Sequence, residues 1–251
     1  NTVKTTYDNA GMRTTFEGFR VYVLPGASAG TVVAMLASRG FRKAASYTDC
    51  DLVVFTGGTD VNPALYNEEP RPNSYWDDAR DNYEAKVFAA CVANKIPMLG
   101  ICRGAQFLHV MNGGSLWQHL SNHTAPHGVI DVDTGEIFAV SSTHHQAMRF
   151  SPEMTLVCTT IEPIADAFYG EGRTERKTDE IEVEAAVYHN TMTFCVQGHP
   201  EHTGFEPFTE WMFDKLSYYY AEWEAVDGLL NEKTVEVVPF IDEVPLAYTK
   251  D

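Results

Sequence analysis

Apolar positions along this chain fall into short continuous runs that alternate with longer stretches of helical spacing. Residues 19–24 form a first run, closed by Pro25-Gly26. Val32, Val33, Leu36 and Ala37 then recur at helical spacing before Gly40, a natural helix stop. Residues 41–47 read as a second strand and 52–55 as a buried third. Residues 77–93 predict a helix with Ala79, Tyr83, Val87, Ala90 and Cys91 as its apolar stripe. Its Asp77-x-x-Arg80-Asp81-x-x-Glu84 charges read as a solvated face with intrahelical pairs. Further strands are expected at 98–101, 161–167, 181–188 and 192–197. Phe208, Trp211, Met212, Lys215, Leu216, Tyr219 and Trp223 mark a long amphipathic helix. Strands alternating with helices predict an α/β fold with a mostly parallel sheet. Residues 1–18 are polar and read as an N-terminal arm. The tail 226–251, strand-like at 235–241, receives no assignment.

Candidate chemistry centres on one junction. The run 98–101 leads into Gly100-x-Cys102-x-Gly104, and a helical pattern starts at once with Ala105, Leu108 and Met111 on one face. Strand, tight turn and helix with a nucleophile at the apex is the nucleophile-elbow arrangement, here with cysteine in place of serine. Small neighbours let a strained turn pass close to strand and helix. The helix N-terminus favours a thiolate and offers N–H groups to an oxyanion. Read alone, the stretch also fits a buried structural cysteine.

A thiol nucleophile needs a base, and the base an orienting group. Val196-Gln197-Gly198-His199-Pro200-Glu201 supplies both, because positions two apart in extended chain face the same way and Glu201 can reach the ring of His199. By itself this segment would pass for a surface loop. In the order Cys, His, Glu the catalytic reading prevails.

Composition narrows the function classes. With 251 residues the chain is most simply one domain. A formal net charge of −17 excludes nucleic acid and anionic membrane as partners, since both demand a basic face. Cys50, Cys91, Cys102, Cys158 and Cys195 are odd in number and lack C-x-x-C spacing, which points away from a disulfide framework or zinc ribbon and towards a reducing cytoplasm. No apolar run reaches membrane-spanning length, and residues 1–13 do not read as a signal peptide. The missing initiator Met reads as processing or numbering. His119, His123 and His127 fall in a polar loop and are expected as solvated surface histidines; His109 is expected as a packing histidine.

Together the elbow with Gln106, the His-x-Glu pair, Gly57-Gly58-x-Asp60-Val61-x-Pro63 with Tyr66, and Ser142-x-His144-x-Gln146 resemble the class I glutamine amidotransferase superfamily, nearest its gamma-glutamyl hydrolase and gamma-glutamyl-gamma-aminobutyrate hydrolase branch. The resemblance covers about residues 19–223, and the catalytic domain is bounded at 19–225, between the arm 1–18 and the extension 226–251. It implies a three-layer α/β/α sandwich of flavodoxin-like kind, with a Cys102, His199, Glu201 triad and an oxyanion hole from the N–H groups of Gly58 and Arg103. Gln106, His144 and Gln146 are implied to recognise the glutamyl end. The charged insertion around 170–180 departs from the branch's tight turn. The implied reaction is cleavage of a γ-glutamyl amide through a thioester, with no organic cofactor. The rivals are the glutaminase subunit of an amidotransferase and a catalytically silent binding module. The implied partner is a small-molecule γ-glutamyl substrate; a separate synthetase chain belongs to the first rival, and homo-oligomerisation stays open. His144 and His145 with His199 and His202 also have metal-ligand chemistry. Zinc on His199 would remove the base, so no metal is assigned.

Overall fold

Short apolar strands send alternate side chains to opposite faces. In the computed structural model, which describes residues 1–8, 11–72, 74–171, 175–177 and 180–227, this alternation builds two separate cores. Leu52 and Val54 of the strand Leu52–Phe55 face one core; Val53 and Phe55 face the other. Helices α1 (Ala29–Ala37) and α4 (Glu206–Asp227) cover the first face with Val32, Leu36, Trp211, Met212 and Leu216. Helices α2 (Asp78–Ala93) and α3 (Arg103–Met111) cover the second with Val87, Ala90, Phe107 and Leu108. The result is the expected α/β/α sandwich.

Among the described residues the central sheet has nine strands, in the order Ile137–Val140, His127–Asp131, Thr155–Thr160, Val183–Tyr188, Thr193–Val196, Met98–Ile101, Leu52–Phe55, Arg20–Val23, Arg42–Lys43. The last five pair in parallel, and the rest pair antiparallel. Numbered along the chain, that parallel half runs 2-1-3-4-5, the flavodoxin-like order, whose ligands bind outside the carboxyl ends of the strands. Asp131 ties α4 to the sheet, accepting from Trp211 Nε1 and from Lys215 Nζ, both at 2.8 Å.

Several expectations shift. The N-terminal arm is two antiparallel strands, Thr2–Asp8 and Gly11–Glu17. Thr14 and Phe16 are fully buried, and Phe16 stacks on Phe41 with ring centroids 4.8 Å apart. The strand expected over 41–47 shrinks to Arg42–Lys43, beyond which Ala44 and Tyr47 turn into the core. The strand expected over 161–167 lies earlier, at Thr155–Thr160. Pro163, which cannot donate to a ladder, sits in the bend that follows. Parts of the 170–180 insertion, and the tail from residue 228 with its strand-like 235–241, lie outside the described residues.

Candidate active site

Cys102 is the residue between the strand Met98–Ile101 and α3. It holds φ 55° and ψ −113°, a region costly for a residue with a Cβ, and its N–H donates to the Val196 carbonyl at 2.9 Å. Strand and helix can meet this closely only because their flanking residues lack side chains. A Cβ on Gly104 would lie 2.1 Å from the Phe55 carbonyl oxygen, and one on Gly100 would lie 2.6 Å from that of Gly104. Cys102 thus stands at the N-terminus of α3, whose first N–H groups have no partner within the helix.

The neighbouring strand Leu52–Phe55 delivers Thr56-Gly57-Gly58 beside the elbow. Gly58 has φ 152°, and a Cβ there would fall 2.0 Å from Arg80 Nη1. Arg80 Nη2 donates to the carbonyls of Thr56 and Gly57 at 2.9 and 3.0 Å, so its guanidinium grips the loop from below. Its Nε pairs with Glu84 Oε2 at 2.7 Å, and Arg103 pairs with both Glu84 and Asp81. All four charges are buried. Burial pushes the Asp81 carboxyl up despite Arg103 beside it. The charged face of α2, expected in solvent, is therefore turned inward. Arg80, Glu84, Val87 and Cys91 share one helical stripe, and that spacing was the available signal.

His199 follows the strand Thr193–Val196, so all three chemical elements leave carboxyl ends of adjacent parallel strands. Its Nδ1 meets Glu201 Oε1 at 2.6 Å, and its ring lines the same cleft as Cys102. Burial disfavours the imidazolium, but Cys102 and Glu201 outweigh it and hold the group up at about 10. Thr143 Oγ1 lies 3.1 Å from Nε2, a contact the sequence reading had not singled out.

These groups line a cleft of 370 Å³ together with Ser28, Asp60, Tyr75, Gln106 and residues 143–146. That is enough for a small molecule. Gln106, His144 and Gln146 reach its wall, with their donors already committed. Gln106 Nε2 donates to the Gln146 carbonyl at 3.0 Å, Gln146 Nε2 to that of Gln118 at 3.0 Å, and His144 Nδ1 to that of Gln146 at 2.6 Å. His145 pairs instead with Asp60 at the mouth, 3.1 Å away. His202 lies against His199 and bonds Ser141 Oγ. His109 is a packing histidine as expected, fully buried and bonded to Tyr188 and Ser115. His123 and His127 are not solvated: they turn inward onto Glu182 and Glu184, which lie in and beside the strand Val183–Tyr188.

Residues 20–201 match the model of the family described as Peptidase C26. The chain belongs to the peptidase C26 family. It is thus a member of a glutamine amidotransferase-like group of hydrolases. A Lactococcus lactis protein described as glutamine amidotransferase-like, YvdE, is 37% identical over 162 residues, covering 61% of this chain and 66% of that one. Gamma-glutamyl-CDP-amidate hydrolase of Campylobacter jejuni is 33% identical over 121 residues, 46% of this chain and 54% of that one. This peptidase C26 chain spans less than two thirds of the length of these curated relatives. A Thermotoga maritima glutamine amidotransferase structure superposes with a TM-score of 0.52 at 18% identity, covering 86% of this chain and 96% of that one. PurLQS from the same organism gives 0.57 at 15%, with 83% and 99% covered. Both show the fold. All five cysteines are free, and among the described residues no helix is long and apolar enough to cross a membrane.

Proposed function

We propose that this peptidase C26 member is a cysteine-dependent amidohydrolase that cleaves the γ-glutamyl amide bond of glutamine or a γ-glutamyl conjugate. The observation that carries the reading is Cys102 at φ 55° on the elbow, lining one cleft with a His199 whose Nδ1 is held by Glu201 at 2.6 Å. The Cys102 thiolate attacks the γ-carbonyl, and the N–H groups of Gly58 and Arg103 hold the oxyanion. His199 gives its proton to the leaving ammonia or amine, leaving a glutamyl thioester on Cys102. Water, deprotonated by His199, cleaves the thioester and frees glutamate and the thiol. Glu201 orients the imidazole throughout. Gln106, His144 and Gln146 shape the wall against the glutamyl end.

A second reading, the glutaminase subunit of an amidotransferase, is favoured by one finding. A carbamoyl phosphate synthase small chain of Neisseria meningitidis matches over 74% of this chain at 25% identity. In that case ammonia passes to a separate synthetase.

Glutamate release by the purified protein alone, from glutamine and a panel of γ-glutamyl amides, separates the readings. The expected result is release from at least one amide, cut at least about 10⁴-fold in Cys102→Ala. Release only after a synthetase is added selects the second reading. A folded protein that releases nothing under either condition, and whose Cys102 forms no acyl adduct, overturns both and leaves a binding module.

A further inference from the structure

Against the 142–146 loop lies a cluster of which the proposed chemistry uses only His144, in the cleft wall. His123 sits before the strand His127–Asp131, His127 begins that strand, Glu184 comes from Val183–Tyr188, and His144 from the loop itself. The His123 ring lies 4.9 Å, centroid to centroid, from both the His127 and the His144 ring. One ligand atom each from His123, His127 and Glu184 lie within 4.8 Å of one another.

The outer nitrogen of every histidine is already assigned. His127 Nδ1 faces the Ala125 carbonyl at 3.0 Å and His144 Nδ1 that of Gln146 at 2.6 Å. A carbonyl only accepts, so both of these nitrogens carry their proton. His123 Nε2 donates to Glu182 Oε1 at 2.7 Å. Glu182 is itself fixed as an acceptor by the N–H groups of Ile164 and Ala165, each at 2.9 Å. His123 and His144 are thereby held in the tautomer that leaves the inner nitrogen with a lone pair, while the inner nitrogen of His127 shares a proton with Glu184. This is the outer-shell pattern of metal-bound histidine.

The inner atoms are poorly satisfied. His123 Nδ1, His144 Nε2 and Glu184 Oε2 are buried without a hydrogen bond, and their residues are 1%, 4% and 3% exposed. Buried polar atoms in native proteins are nearly always paired.

We propose that His123, His127, His144 and Glu184 form a buried divalent-metal site of zinc type that fastens the 142–146 loop to the sheet. A tetrahedral ion bound at about 2.0–2.1 Å separates its ligands by about 3.3 Å. His123 Nδ1 and Glu184 Oε1 already stand 3.4 Å apart. His127 Nε2 and Glu184 Oε1, at 2.6 Å, hold a proton between them that the ion displaces to solvent on binding. Two carboxylates, Glu182 and Glu184, neutralise the divalent charge. The site is structural, and it meets the chemistry through the loop: His144 itself lines the cleft, and the Thr143 hydroxyl meets His199.

The test uses the whole chain. Elemental analysis after desalting is expected to find one zinc per chain. Chelator-treated protein is expected to regain a higher thermal midpoint with zinc, and to give the visible d–d bands of four-coordinate cobalt without a thiolate charge-transfer band. Glu184→Gln and His127→Gln should lose the metal; a Cys102→Ala, His202→Asn double variant should keep it. Wild-type protein that is folded by circular dichroism, yet carries no metal and shows neither cobalt bands nor a midpoint shift, overturns the proposal and leaves a protonated ion-pair cluster. Metal retained in Glu184→Gln but lost in the double variant overturns it equally.

Discussion

The two sides of Cys102 are held by different physics. On the Gly58 side the supports are Arg80, Arg103, Asp81 and Glu84, two permanent cations against two carboxylates, dry and locked to backbone carbonyls. On the His199 side the supports are an imidazole, a carboxylate and the exposed hydroxyl of Thr143. One side therefore rests on two guanidinium groups that stay charged at any ordinary pH, and the other changes when a proton moves. The proposed reaction, which shuttles a proton while holding an oxyanion steady, would use both, and the structure keeps them on separate strands.

The largest effect is expected from breaking the fixed side. Arg103→Met leaves Asp81 and Glu84 buried against Arg80 alone, and should cost about 3–5 kcal/mol in urea unfolding. Adding Asp81→Asn should recover part of that loss, since it removes one stranded charge; a simple sum of the two losses would show that the residues do not act as a unit.

The titrating side should appear as a pH slope. The folded-state pKa of His199 is raised to about 10, above an unfolded value of about 6.5. Its stabilisation is therefore complete below about pH 6.5 and is lost as pH rises through the folded value, with a slope of up to about 1.4 kcal/mol per pH unit. Cys102→Ala removes the leading favourable partner, so unfolding free energies measured between pH 7 and 10 should lose much of this slope. The His199 ring-proton resonance should titrate lower in the variant. An unchanged slope would separate the thiol from the imidazole.

The smallest effect is expected at the rim. Thr143→Val removes one hydroxyl from His199 Nε2 and should lower kcat for glutamate release about two- to tenfold with KM nearly unchanged. A change in KM alone would place Thr143 in substrate binding.

Much of this was legible in the sequence, and the reason differs from element to element. The elbow could be read because its requirements are local: a nucleophile at a strand end, glycines on either side, a helix at once. His199 and Glu201 could be read for the same reason. Partners supplied from elsewhere in the fold could not. The charges of α2 carry the spacing of an exposed face, and only the arrival of Arg103 from α3 explains their burial. His123 and His127 sit in a stretch whose composition is that of a surface loop, and the carboxylates that draw them inward lie more than fifty positions away along the chain. The N-terminal strands were hidden by polarity, because only Thr14 and Phe16 of their alternating pattern reach the core.

Gly58, Cys102 and His199 each leave the end of a strand, and the three strands are neighbours in one parallel ladder. Their spacing is therefore set by a ruler, the roughly 4.8 Å repeat between hydrogen-bonded strands. Side chains such as Val54 or Leu99 can be exchanged for others of similar bulk, and the core will be looser or tighter, but the ruler's divisions do not move. A chemistry whose distances are graduated in backbone hydrogen bonds can tolerate a drifting interior, which leaves the surrounding loops free to change what is brought to the sulfur.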